Sequence, residues 1–463
     1  MKPYQLSALE LLSAYAARRL SPLEAMRDVL ERVRRFEPHI KATYLLNPER
    51  ALAEAKASEA RWMRGEPIGA LDGAPTTIKD AIATKGDPTP IGAAASDLTP
   101  APSDAPPAAR LREAGAIIFS KTTMPDYGML SSGLSSFHPL TRNPWDLSRN
   151  PGGSSSGAAA ATAAGFGPLH VGTDIGGSVR LPAGWCGIFT LKPSFGRVPI
   201  DPPYLGRVAG PMTRSVADSA LMMSVLARRD GRDCMSLPPQ EIDWRVKPAE
   251  LRGLKIGLML DAGCGAPATA EVRAAVENAA RDFARAGARI ETIAPFLNQA
   301  MLDGWDRFFR MRSFLDLKAL PVERREKVLP FIRAWAGSAE PFSGEDVFAG
   351  YNQIMTMRRA TVAATEDYDF VLSPTAPMIA YPAEDAMPSN DPLNPFVHIN
   401  FTLPFSVSEQ PAASINCAYS AEGLPIGLQI VGRRFDDVGV LAVSRAFEDF
   451  GRARPWPEPP ASA

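Results

Sequence analysis

The sequence predicts an α/β protein with one large domain over residues 1–463. The clearest signal is a β-α-β unit at 253–293. There LKIGLML forms a strand, and Thr269 caps a helix with Val272, Val276, Ala279, Phe283 and Ala286 along one face. Gly287 stops that helix and ARIETI makes a second strand. A right-handed parallel crossover is the expected geometry. Strand-like runs also occur at 73–80, 116–120 (AIIFS), 370–374 (FVLSP) and 424–431, alternating with helical patterns. No internal repeat and no low-complexity linker divides the chain.

Two helices open it. Ser7 with Glu10, and Ser21-Pro22 with Glu24, form capping boxes, the second with proline at the first helical position. Met26, Val29, Leu30 and Val33 then repeat at helical spacing. A third helix is expected over 48–64, ending before Gly65. A proline-rich loop at 87–107 leads to a short helix at 110–114, and a further helix is expected at 216–226. Residues 297–364 read as helical and rich in Trp, Phe and Met. The tail from Arg452 to Ala463 (RARPWPEPPASA) reads as loosely ordered.

Composition excludes several classes. With 45% hydrophobic and 22% charged residues the chain is globular and not disordered. A formal net charge of −1 supplies no field to draw in nucleic acid or an anionic membrane. The most apolar run, 158–169, is too short to span a bilayer. Cys186, Cys234, Cys264 and Cys417 match no zinc or redox spacing. No metal cluster or cofactor fingerprint is apparent, and a cytoplasmic protein is expected.

The chemistry concentrates at 151–181, PGGSSSGAAAATAAGFGPLHVGTDIGGSVRL, where Gly152-Gly153-Ser154 and Gly176-Gly177-Ser178 flank an apolar helix-forming run. Paired glycines bring backbone N–H groups close to a bound group, and a hydroxyl beside such donors suits acyl transfer. Gly153-Ser-Ser-Ser-Gly157 matches a nucleophile elbow in letters. However, the elbow needs a buried strand before it, and the residues at 143–151 contain two prolines and no apolar run. The four histidines lie in no triad context. A phosphate loop lacks its lysine-serine signature. A serine hydrolase with a lysine base remains, provided the lysine is held neutral by burial. Lys79, after an apolar and threonine run, is the candidate, and spacing alone leaves open whether it instead pairs with Asp80.

Ordered blocks along most of the chain resemble the amidase signature family. They include Gly73-Ala-Pro-Thr-Thr-Ile-Lys79-Asp80, Gly115-Ala-Ile-Ile-Phe-Ser-Lys-Thr122, Pro151-Gly-Gly-Ser-Ser-Ser-Gly157, Gly172-Thr-Asp-Ile-Gly-Gly-Ser178-Val-Arg180, Leu191-Lys-Pro-Ser-Phe-Gly-Arg197 and Gly423-Leu-Pro-Ile-Gly-Leu-Gln429. The resemblance implies an α/β/α domain with a mixed central sheet, and a signature core at 70–220. It implies Ser178 as nucleophile, Ser154 in a cis peptide as proton relay and Lys79 as base. The N–H groups of Ile175, Gly176, Gly177 and Ser178 are the implied oxyanion hole. Asp174 and Arg180 would brace the nucleophile loop as an ion pair, and Ser155 would hold the relay loop. Gly128 and Met129 would lie beside the acyl group. Two positions depart from the family pattern: Ser156 replaces a glycine, and Thr123 stands where asparagine is usual.

The resemblance implies a small-molecule amide substrate, with neither cofactor nor metal. The expected activity is hydrolysis of a linear amide by a free-standing enzyme. The alternatives are a glutaminase subunit of a tRNA-dependent amidotransferase and a silent scaffold. Glutaminase subunits carry an Arg-Ile-Leu-Leu-Gly-Thr-like block where this chain has Phe342-Ser-Gly-Glu-Asp-Val-Phe-Ala-Gly350. The helical region at 295–365 is the expected pocket wall or lid, with Trp305, Phe308 and Phe309 suggesting an apolar or aryl substituent. A homodimer is the prior expectation.

Overall fold

Alternation of side chains sets the layering. The computed structural model describes residues 2–451 and 455–458. Its strands are β1 (Thr43–Tyr44), β2 (Pro75–Lys79), β3 (Ile117–Thr122), β4 (Leu169–Asp174), β5 (Phe189–Lys192), β6 (Val208–Thr213), β7 (Lys255–Leu258), β8 (Arg289–Thr292), β9 (Phe370–Pro374), β10 (Ala412–Tyr419) and β11 (Pro425–Gly432). They form one sheet in the order β1-β3-β2-β4-β6-β5-β10-β11-β9-β7-β8. β2 runs parallel to β3 and β4, and β7 runs parallel to β8 and β9; the other pairs are antiparallel. The sheet is mixed, as the α/β/α expectation has it.

Neighbouring residues on a strand point to opposite faces. Leu372, Ala413 and Ile430 enter a core with the helices Val216–Leu226, Ala270–Arg285 and Asp437–Glu448. Val371, Ala412 and Val431 enter a second core with Trp305, Phe309 and Trp335. Both faces of the sheet are therefore covered.

Several sequence expectations hold residue by residue. Ser7 and Ser21 accept hydrogen bonds from the N–H groups of Glu10 and Glu24. The helices at Pro48–Arg64 and Val216–Leu226 have the expected bounds. β7 and β8 pair in parallel around the helix Ala270–Arg285. Others shift. The short helix is Pro106–Glu113, because its two prolines occupy the first turn and need no N–H partner there, so the preceding loop ends earlier than expected. In the tail, residues 452–454 and 459–463 lie outside the described residues. The part between is packed, contrary to expectation: Trp456 meets Tyr4 edge-on at 5.5 Å and carries Arg214 at 3.5 Å, and Pro457 O accepts from Arg32. Among the described residues no helix is long and apolar enough to cross a membrane.

β1, β4, β5, β6 and β10 were not predicted. β6 carries a glycine and a proline, Val208-Ala-Gly-Pro-Met-Thr213, and all six residues are buried. Gly210 is required by close approach, since a Cβ there would lie 2.2 Å from Leu191 O. Gly210→Ala should therefore destabilise the fold by about 1–3 kcal/mol through overpacking. Gly231→Ala, at a position with nothing within 4 Å, should leave thermal unfolding nearly unchanged. Differential scanning calorimetry of the two variants checks this.

Candidate active site

Lys79 ends β2, and its neighbour Ile78 points into the first core, so the lysine points through the opposite face of the sheet. It is fully buried. Nζ lies 2.8 Å from Ser154 Oγ, 3.0 Å from Ser155 Oγ and 3.0 Å from Thr173 Oγ1. Among the described residues it forms no ion pair. Asp80 points the other way and accepts from the N–H groups of Ile91 and Gly92, with His138 Nε2 at 2.9 Å. The Lys79–Asp80 pair left open by the sequence is absent. Burial, then the Arg207 guanidinium, push the Lys79 amine down to about 7, against the opposing pull of Asp174 and Asp80.

Hydrogen-bond capacity orients that amine. Ser155 Oγ accepts from Thr173 N–H at 3.2 Å and donates its proton to Thr173 O at 3.2 Å. Its remaining capacity toward Lys79 is as an acceptor. A neutral amine has two N–H donors and one lone pair. When Ser155 and Thr173 accept the two donors, the lone pair is left for the Ser154 hydroxyl. Thr173 was not singled out in the sequence, although it stands between Gly172 and Asp174 in the nucleophile block.

The Gly153–Ser154 peptide is cis. Gly152 has φ +82°, and a Cβ there would meet Trp185 at 2.5 Å, which is why this turn needs glycine. Ser155 N–H donates to Ser178 O at 3.1 Å, tying the loop of Ser154 to the loop of Ser178. The helix Ser156–Ala164 then begins, buried at all nine positions.

Asp174, at the end of β4, organises the second loop. Its carboxylate accepts from Gly177 N–H (2.8 Å), Val179 N–H (3.1 Å) and both Nε and Nη2 of Arg180 (3.1 and 3.0 Å). Arg180 also donates to Thr402 O, Gln429 Oε1 and Ser406 Oγ. Both side chains are fully buried. Burial alone would raise the Asp174 pKa, but Arg180 holds it below the usual carboxylate value. This corrects one expectation: the Gly177 N–H is taken by Asp174, so it is not free for an oxyanion. The N–H groups of Ile175, Gly176 and Ser178 donate to no group among the described residues. Gly177, at φ +135°, would place a Cβ 2.6 Å from Thr402 Oγ1.

Ser154 and Ser178 face one cavity of about 420 Å³. Among the described residues the Ser178 hydroxyl makes no hydrogen bond, so its link to Ser154 is open here. Gly128 and Met129 line the same cavity, and a Cβ at Gly128 would stand 3.2 Å from Ser154 Oγ. From the helix Gln299–Lys318 come Trp305, Phe309, Arg312 and Asp316. Phe308 does not join them; it lines a separate groove with Met311, Phe342 and Phe348. The later helices of the 295–365 region contribute nothing to this cavity.

A family model described as amidase matches residues 24–441. The chain belongs to the amidase signature family. It is an amide-cleaving enzyme by that membership. It is 35% identical to the A-type Glutamyl-tRNA(Gln) amidotransferase subunit of Myxococcus xanthus (strain DK1622), over 97% of this chain and 98% of that protein. Among solved structures it is similar to a bacterial aryl acylamidase of the amidase signature enzymes, with TM-score 0.88, 30% identity and 96% of each chain covered. A second amidase structure superposes with TM-score 0.83 at 30% identity, over 96% of this chain and 100% of that one.

The two departures from the family pattern meet in space. Ser156 Oγ donates to Thr123 O at 3.4 Å, and Thr123 Oγ1 lies 2.6 Å from Thr141 Oγ1. The Arg180→Met variant should lose about 3–5 kcal/mol of stability, because Asp174 is left as an uncompensated buried charge. The Asp174 pKa is depressed on folding, so the stabilisation is present above the ordinary carboxylate pKa and is lost as pH falls through the folded value. Urea unfolding of both proteins from neutral to acid pH checks the cost and its convergence toward low pH.

Proposed function

We propose that the protein hydrolyses an amide through an acyl-enzyme on Ser178, with Ser154 as relay and Lys79 as base. One observation carries this reading: a buried lysine with no carboxylate partner among the described residues, its Nζ 2.8 Å from Ser154 Oγ. In the first half, Ser178 Oγ attacks the carbonyl carbon while its proton passes to Ser154 and the Ser154 proton passes to Lys79. The N–H groups of Ile175, Gly176 and Ser178 would stabilise the oxyanion. Collapse breaks the C–N bond, and the proton returns along the same path to the leaving nitrogen. Water then attacks the acyl-enzyme, giving up its proton to the relay, and a carboxylate is released. Asp174 and Arg180 position these groups without touching the reacting atoms, and of those Ser155 touches only the Lys79 amine.

The cavity favours a free-standing enzyme acting on an amide with an apolar or aryl substituent. Met129, Leu130, Trp305 and Phe309 line it, and the aryl acylamidase likeness covers the whole fold. The chain is read as one cytoplasmic domain with the helix Gln299–Lys318 as pocket wall. A second reading has its own observation. Relatives at 35% identity are amidotransferase subunits, matched over 94–98% of their length, and they favour the glutaminase reading over the free-standing one. On that reading the chain would act on glutamine together with partner subunits. The helix Gly344–Thr365, lacking the expected glutaminase block, argues the other way.

Intact-protein mass spectrometry after fluorophosphonate treatment separates the outcomes. A single adduct on the wild type, absent from Ser178→Ala, is expected, together with turnover of anilides by the isolated chain. Ammonia release from L-glutamine alone, or an adduct only with partner subunits present, would support the amidotransferase reading instead. Because Lys79 must be neutral to act, kcat/KM should rise as pH climbs through about 7 and level off above it. A flat profile from acid to alkaline pH would remove Lys79 as base. Lys79→Ala should lower kcat/KM by about 10²–10⁴-fold with circular dichroism unchanged.

A further inference from the structure

The cavity that holds the two serines also holds two guanidinium groups that neither give nor take a proton in the relay. Arg207 precedes β6. Its Nη1 donates to Pro202 O at 2.8 Å and its Nη2 to Ala81 O at 3.4 Å, both backbone carbonyls. No carboxylate lies within ion-pair distance of it among the described residues. Arg312, on the helix Gln299–Lys318, stacks over the Tyr204 ring at 4.1 Å. Its carboxylate neighbour, Asp316, is 3.7 Å away and 62% exposed. Asp201, the other acid of the rim, is also exposed. Burial, then the nearby Arg312, push Arg207 down to about 10.

Two cations that repel each other across a half-enclosed cavity are costly unless an anion comes between them. The available carboxylates stand in water at the rim, where screening leaves them little effect. Arg207 keeps unused N–H donors, and a planar guanidinium presents them in a fork that fits a carboxylate. The Tyr204 ring holds the plane of Arg312. The aromatic rings of Trp305 and Phe309 line the same space, so a flat apolar spacer fits there.

We infer that Arg207 and Arg312 form an anion-recognition site, and that the amide this enzyme cleaves carries a carboxylate remote from the scissile bond. This rests on the hydrolase reading above and adds a substrate class to it.

Two matched pairs of amides test it. 4-Acetamidobenzoate against 4-methylacetanilide places the carboxylate on the amine side. Terephthalic acid monoamide against 4-methylbenzamide places it on the acyl side. In at least one pair the wild type should favour the carboxylate in kcat/KM by about tenfold or more, equivalent to about 1.4 kcal/mol. Arg207→Gln and Arg312→Gln, checked for folding by thermal melting, should each shrink that ratio to about twofold or less, and Arg312→Lys should restore part of it. Raising the salt concentration should lower the wild-type ratio as well. Equal kcat/KM within both pairs, or a ratio that the glutamine substitutions leave intact, would overturn the anion site while leaving the hydrolase reading standing. If the wild type turns over none of the four, calorimetric titration of Ser178→Ala decides. Tighter binding of the carboxylate member would keep the anion site and count against the hydrolase reading, and equal or absent binding would overturn the site.

Discussion

The buried pair of Asp174 and Arg180 is the contact on which the active-site architecture depends. Taking two charges out of water is expensive, and their attraction offsets that only when the remaining donors and acceptors are also satisfied. Here they are. Asp174 accepts from two backbone N–H groups and two guanidinium nitrogens, while Arg180 reaches Thr402, Ser406 and Gln429. The loop between β4 and the following helix is thereby fixed to β11 and to the short helix Leu403–Val407, more than 220 residues later in the chain. What this achieves is geometric: four consecutive residues, Ile175 to Ser178, are held in one conformation with three N–H groups left unspent.

The second constraint is electrostatic. Lys79 is sealed among hydroxyls and loses its proton readily because burial and Arg207 both disfavour its charged form. Arg207 thus acts in two directions, lowering the Lys79 pKa and lining the cavity. Asp80, next in sequence to Lys79, is committed to His138 and to the 91–92 backbone on the far side of the strand. The acid nearest in sequence to the lysine is therefore not its partner.

Much of this was legible in the sequence, and the omissions have physical causes. The capping boxes at Ser7 and Ser21 and the β-α-β unit around Ala270–Arg285 carry local signals that tertiary structure did not override. β4, β6 and β10 carry no such signal. They are buried along most of their length, rich in Gly, Ala, Ser and Thr, and one contains proline, so period-two alternation is lost. The separation of Lys79 from Asp80 was available in principle, since adjacent strand residues cannot share a face. The loss of Gly177 as a donor was not, because it depends on where the Asp174 carboxylate turns. Phe308 and Phe309 are neighbours on one helix, and only the register of that helix against the site decides which of them meets ligand.

The parallel pairing of β2 with β4 sets Ile78 opposite Val171, which places Lys79 beside the end of the strand that leads to Ser178 by backbone hydrogen bonds alone. A slip of one residue would turn the lysine through to the other face. The spacing of base and serine is therefore a property of the sheet, whereas the surfaces that touch ligand belong to a helix and loops laid over it. Arg207 belongs to both parts, since it lines the cavity and lowers the Lys79 pKa; the rest of the wall stands mechanically apart from the strands that carry Lys79 and lead to Ser178.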